Sequence, residues 1–260
     1  MSTQLIHGLA VEIDGEGDAL LCIHGLGGSS NGWTPLMEAL EGFKVIRPDL
    51  PGSARSALPA ETLSIHVYVT ALERLLDELN VESVHIAAHS LGTIVAQHFT
   101  LRNASKVKSL ALFGPLLAPP DAARPAIAAR ATLARSGSPG IQQIADAIVK
   151  GATSQETRAQ QPAVIALVRE SVMRQPAEGY AQSCEALAQA QAAAVEGIRV
   201  PTLLVTGDQD GVAPAVNVRA MAERIQGSRV VVLEGCGHWT PFERPQACMQ
   251  ELQRFHTSIR

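Results

Sequence analysis

The sequence predicts an α/β architecture: a mostly parallel central sheet flanked by helices, with a helical segment inserted after the sixth strand. Three observations predict it. Short apolar runs alternate with longer stretches at helical spacing, the pattern of parallel strands joined by helical crossovers. Strand signals vanish between residues 119 and 196 and resume at Thr202. The chain has 260 residues, 46% hydrophobic and 18% charged, enough to bury a core of the size this architecture needs.

Residues 5–7 and 10–13, on either side of Gly8, read as an opening antiparallel pair. Residues 19–23, 44–47, 84–87, 109–113, 202–206 and 230–233 read as the remaining strands. Between them, residues 65–79 carry Val69, Leu72, Leu75, Leu76 and Leu79 at helical spacing, and residues 91–101 do likewise, so both should pack on the sheet. Residues 247–259 read as a closing helix. From 119 to 196 the composition shifts to Ala, Gln and Arg, broken by Pro125, Pro139, Pro162 and Pro176, which implies three or four short helices. This segment leaves the sheet at the carboxyl end of one strand and returns at the next. It is therefore expected to form a lid over residues 1–118 and 197–260, the alternative being a helical elaboration that covers no site.

The most informative short stretch is Ala88-His89-Ser90-Leu91-Gly92, directly after an apolar strand. A strand that turns sharply into a helix at one serine lifts that hydroxyl clear of the sheet, and requires small residues two positions either side. Ala88 stands where glycine is commoner. A serine needs a base, and the base an orienting acid. Downstream, Gly207-Asp208-Gln209-Asp210 follows one strand, and Gly235-Cys236-Gly237-His238 follows the next. Ser90 as nucleophile, Asp210 as acid and His238 as base is the expected assignment. Asp208 competes for the acid's role, but the resemblance to the motif G-x-x-D-x-x-x-P, matched by Gly207, Asp210 and Pro214, favours Asp210. A buried structural histidine is the other reading of His238, but it follows a strand through a Gly-x-Gly turn, which is where a loop delivers an imidazole over the serine. Backbone N–H groups of Leu26, in His24-Gly25-Leu26-Gly27-Gly28, and of Leu91 are the expected oxyanion donors. A phosphate loop is the other reading of that glycine cluster, but no lysine follows it. His24 and the Asp49 turn read as structural, and His85 and His89 share a strand face as structural or pocket groups.

A net charge of −4 and the absence of a Lys/Arg cluster argue against nucleic acid as a partner. Nowhere do 18 uninterrupted apolar residues occur, which predicts no membrane association and a soluble, cytoplasmic protein. Cys22, Cys184, Cys236 and Cys248 lack paired spacing, so neither a metal site nor a disulfide frame is expected. No cofactor is implied, and a homo-oligomer is compatible with the sequence.

Taken in order, the His24-Gly25 loop, the Asp49 turn, the Ser90 elbow, the Asp210 loop and the His238 turn resemble the α/β-hydrolase fold family over nearly the full length. Within it, Gly179-Tyr180-Ala181-Gln182-Ser183-Cys184-Glu185-Ala186-Leu187 is similar to a segment of 3-oxoadipate enol-lactonases and related bacterial carboxylesterases. The resemblance implies a hydrolase acting through an acyl-serine on small-molecule esters, or alternatively on enol-lactones. Carbon–carbon bond hydrolysis, cofactor-free haloperoxidation and a non-turnover small-molecule receptor remain further readings. Dehalogenases and epoxide hydrolases use a carboxylate nucleophile, whereas position 90 is serine. Trp33, His89, Tyr180 and Trp239 are candidate substrate-contacting side chains in an otherwise aliphatic pocket. A diacid substrate would want a cation, for which Arg124, Arg130, Arg135 and Arg169 are available.

Overall fold

The computed structural model describes residues 3–259. The chain opens with the hairpin β1 (Thr3–Ile6) and β2 (Leu9–Asp14), followed by β3 (Asp18–Ile23), β4 (Phe43–Pro48), β5 (Val84–His89) and β6 (Val107–Phe113). Strands β7 (Thr202–Gly207) and β8 (Arg229–Leu233) come after a long helical stretch. They form one sheet in the order β1-β2-β4-β3-β5-β6-β7-β8, antiparallel at β1–β2 and β2–β4 and parallel from there on. The central strands are buried on both faces, and alternation sorts their side chains. Leu21, Ile23, Ile86 and Ala88 point into one apolar layer, while Leu20, Cys22 and Ala87 point into the other.

Helices α1 (Ile65–Glu78) and α2 (Leu91–Arg102) fill the first layer. Ser64 caps α1 by accepting the Val67 N–H, and the spacing of Val69, Leu72, Leu75 and Leu76 turns its apolar stripe to the sheet. The second layer is filled by a 3-10 stretch, Ser30–Leu40, through Trp33, Leu36 and Leu40, and by the last helix, which contributes Cys248, Leu252 and Phe255.

Between β6 and β7 lie five α-helices: α3 (Arg124–Ala134), α4 (Ser138–Ala152), α5 (Gln155–Gln160), α6 (Pro162–Met173) and α7 (Ala177–Gln189). This is more than the three or four that the sequence suggested. Pro125, Pro139 and Pro162 sit in the first turn of a helix and Pro176 immediately precedes one, positions where a missing N–H costs nothing. The extra helix, α5, starts without proline on a Ser154 cap and is too short to show apolar periodicity. The helices share their own apolar cluster, into which Trp239 and Phe242 project from the sheet side. The chain closes with α8 (Ala215–Glu223), the short α9 (Thr240–Glu243) and α10 (Pro245–Ser258). Among the described residues no helix is long and apolar enough to cross a membrane.

Candidate active site

Ser90 occupies the single residue between β5 and α2, with φ +52° and ψ −121°, a backbone region that L-residues rarely adopt. Its amide donates to the Phe113 carbonyl (2.9 Å), and its own carbonyl accepts from the Thr93 hydroxyl (2.6 Å), so both flanks of the turn are tied down. A Cβ on Gly92 would lie 2.5 Å from the Ile23 carbonyl oxygen, so the first turn of α2 packs against β3 only because no side chain is there.

The loops after β7 and β8 bring two more groups to this turn. His238 Nε2 lies 2.7 Å from Ser90 Oγ, and His238 Nδ1 lies 2.8 Å from Asp210 Oδ2. A carboxylate at Nδ1 requires that nitrogen to carry the proton, which leaves Nε2 free to accept from the serine O–H. All three side chains are buried. Burial alone would raise the Asp210 carboxyl. The His238 ring and the N–H groups of Ala213 (2.7 Å) and Val212 (2.8 Å) outweigh it and hold the carboxyl at about 2. Asp208, the rival in sequence, instead accepts the Cys236 amide at 3.0 Å and is not joined to the imidazole.

Three further groups set the position of the imidazole and the glycine loop, and no local sequence signal marks two of them. Buried Glu243 accepts the amides of Gly237 (3.0 Å), Trp239 (3.1 Å) and Ser154 (2.8 Å), while the His238 amide donates to the Ala152 carbonyl (2.9 Å). The loop carrying His238 is thereby fastened to the α4–α5 junction. Gln175, beyond α6, donates to the carbonyls of Gly27 (3.2 Å) and Gly28 (3.0 Å). His24 is the third: Nδ1–H donates to the Gly25 carbonyl (2.8 Å) and Nε2 accepts the Leu50 N–H (2.8 Å). Burial pushes the His24 imidazole down, against the pull of Asp49, so it stays neutral. Asp49 itself is held by the Ser30 amide (2.7 Å) and Arg55 Nε (2.8 Å). Neither the Leu26 nor the Leu91 amide donates to another backbone group among the described residues.

A cavity of about 360 Å³ opens beside Ser90 and His238, walled by Leu26 and Trp239 and by side chains of α3, α4 and α7. It brings in only one of the four candidate aromatic or imidazole contacts, Trp239. Trp33 and His89 border a separate void of about 20 Å³ that Trp239 also touches, because Trp33 is committed to the core, edge-on to Phe113 at 5.9 Å. His89 donates from Nε2 to the His238 carbonyl at 2.9 Å. Burial, aided by the neighbouring His238, depresses it to about 3, so it is a neutral prop for the loop. Tyr180 is turned into the cluster shared by the inserted helices. Among the described residues no group of three or more His, Cys, Asp or Glu is arranged to hold a metal ion.

A parallel sheet presenting a serine on a strand–helix turn, with a hydrogen-bonded histidine and aspartate from later loops, is the architecture of elbow-type hydrolytic enzymes. The chain belongs to the alpha/beta hydrolase family, whose model matches residues 20–251. It is similar to the enol-lactonase of Burkholderia xenovorans (27% identity over 98% of this chain and all of that one, TM-score 0.89). It is equally similar in structure to a thermophilic esterase of Thermogutta terrifontis (25% identity, 96% and 93% covered, TM-score 0.89). Among curated proteins it is 25% identical to (E)-2-((N-methylformamido)methylene)succinate hydrolase of Acinetobacter baylyi, over 92% of this chain and 90% of the relative. The 3-oxoadipate enol-lactonase 1 of that organism is also 25% identical, with 96% and 94% covered.

Proposed function

We propose that the protein is a serine hydrolase that cleaves carboxylic esters through an acyl-Ser90 intermediate. Ser90 Oγ bonds to the acyl carbon as its proton passes to His238 Nε2, and the carbonyl oxygen takes up negative charge facing the Leu26 and Leu91 amides. Donors aimed at that charge contribute roughly 10²- to 10³-fold each in comparable enzymes. The tetrahedral species collapses, breaking the C–O bond, and the imidazolium returns the proton to the departing alcohol. Water then enters and gives a proton to the imidazole as its oxygen bonds to the acyl carbon; on collapse the bond from the acyl carbon to Ser90 Oγ breaks, the imidazolium returns the proton to Oγ, and the acid is released. Asp210 keeps the imidazole in the required tautomer and offsets its charge in the cationic steps. These side chains and amides, in this reading, relay each proton and stabilise each charge, and the steps call for no cofactor. In this reading the helices within residues 119–196 act as a lid that walls the cavity.

One observation carries the proposal: the unbroken hydrogen-bond chain from Ser90 through His238 to Asp210 at the mouth of a cavity. A second reading, hydrolysis of an enol-lactone, uses the same steps with the leaving oxygen tethered to the acyl group. The full-length likeness to an enol-lactonase favours it. Ser90→Ala is expected to abolish turnover of p-nitrophenyl butyrate and labelling by a fluorophosphonate while leaving the circular-dichroism spectrum intact. Turnover surviving in that variant would remove both readings, and a panel of short-chain esters and enol-lactones would rank them.

A further inference from the structure

Four arginines of the inserted helices are potential anion ligands, and the structure separates one from the rest. Arg124 is paired with Asp121 (3.0 Å), Arg135 with Glu178 (2.9 Å) and Glu185 (2.6 Å), and Arg169 with Asp146 (2.6 Å). Arg130, on α3, makes no ion pair among the described residues, is half-buried, and lines the cavity that holds Ser90 and His238. Apart from Ser90 and His238 the remaining wall is apolar or small, with no aspartate or glutamate among the described residues that line it.

The neighbours of Arg130 do not neutralise it. The buried Tyr180 hydroxyl lies close enough to the guanidinium to be influenced by its charge and its N–H groups, but it brings no negative charge. Burial pushes that phenol up, and pushes the Cys184 thiol, also within the field of Arg130, up to about 12. Both therefore stay uncharged at neutral pH. A partly desolvated guanidinium with no counter-ion is unfavourable in the empty protein, and its planar fork matches a carboxylate in two parallel hydrogen bonds. Among the described residues no carboxylate pairs with Arg130 or lines the cavity, which leaves that place to a negative group brought by a ligand.

We infer that Arg130 is a specificity-determining residue that binds a free carboxylate on the substrate, so that the preferred ester or lactone is the derivative of a dicarboxylic acid. The inference rests on the serine-hydrolase reading and narrows it to a substrate class. At about 30 Å³ for each water-sized group, the cavity has room for about a dozen non-hydrogen atoms, the size of a short diacid monoester.

The test compares monoethyl adipate with ethyl hexanoate, esters of six-carbon acyl chains that differ in a terminal carboxylate, followed by titration of the released acid. The wild-type protein is expected to favour monoethyl adipate in kcat/KM, mainly through KM. Arg130→Gln should reduce the ratio of the two kcat/KM values roughly 10- to 100-fold, the usual effect of losing a charge-assisted pair, and Arg130→Lys should restore part of it. Calorimetric titration with adipate should show binding that weakens in Arg130→Gln, a readout independent of turnover. A wild-type ratio at or below one, or a ratio unmoved in Arg130→Gln while ethyl hexanoate is hydrolysed, overturns the carboxylate assignment and leaves the hydrolase reading standing. Failure of the wild-type protein to hydrolyse either ester, with Ser90 unlabelled by a fluorophosphonate, overturns that reading and this inference together.

Discussion

Replacing Asp210 with asparagine tests the orienting step most directly, because the structure dictates which way the new amide must face. Asp210 Oδ1 accepts two backbone N–H groups, from Val212 at 2.8 Å and Ala213 at 2.7 Å, and both can be satisfied only by an oxygen. The Asn carbonyl is therefore held there and the NH₂ is aimed at His238. Facing a donor, Nδ1 must become the acceptor, the ring proton moves to Nε2, and Ser90 loses the lone pair that would take its proton. The same replacement in a serine-protease triad lowers kcat about 10⁴-fold, which at 1.36 kcal/mol per tenfold is about 5 kcal/mol of transition-state stabilisation. The assay is kcat/KM on p-nitrophenyl butyrate, with Asp208→Asn as the control expected to lose less than tenfold. A folded Asp210→Asn protein within tenfold of wild type would refute the claim that Asp210 orients the base. The variant has a second readout in acid. A carboxyl held at about 2 against an ordinary 3.8 contributes stability that is fully present above pH 3.8 and is lost as the pH falls through about 2. The shift corresponds to about 2 kcal/mol, so the gap in urea-unfolding free energy between wild type and Asp210→Asn should narrow by about that amount across this window.

Two further outcomes follow from the backbone around the site. Ser90 holds a positive φ that glycine adopts without strain, so Ser90→Gly should be more stable than Ser90→Ala by about 1 kcal/mol in denaturant unfolding, both being inactive; equal stability would show that the turn stores no strain. Gly114, with φ +55°, lies where an added Cβ would come within 2.8 Å of His238 Cε1. Gly114→Ala should displace the imidazole and lower kcat/KM about 100-fold with the fold retained, and unchanged kinetics would mean that the ring tolerates the shift.

Much of this molecule was legible because its signals are local. The turn at Ser90 announces itself through small neighbours after an apolar strand, and the parallel sheet through apolar runs at regular intervals. The 3-10 stretch Ser30–Leu40, α8 and α9 carry weaker marks, since they are short or irregular and are held by what they pack against. Glu243 and Gln175 left no trace at all. Gln175 matters through carbonyls of the distant glycine loop, and Glu243 ties two nearby amides to the far Ser154 amide, links that a linear reading does not juxtapose.

The sequence by itself determined the fold class and the order of the serine, aspartate and histidine, because strand alternation and turn chemistry depend on residues within a few positions of one another. Tertiary structure joined Asp210 rather than Asp208 to the His238 ring, sent Trp33 and Tyr180 into packed interiors, and left Arg130 on the cavity wall while Arg124, Arg135 and Arg169 found carboxylate partners. Those outcomes depend on the rotational phase of each helix and on the carboxylates that distant segments bring within reach. That arrangement exists only once the chain has closed on itself.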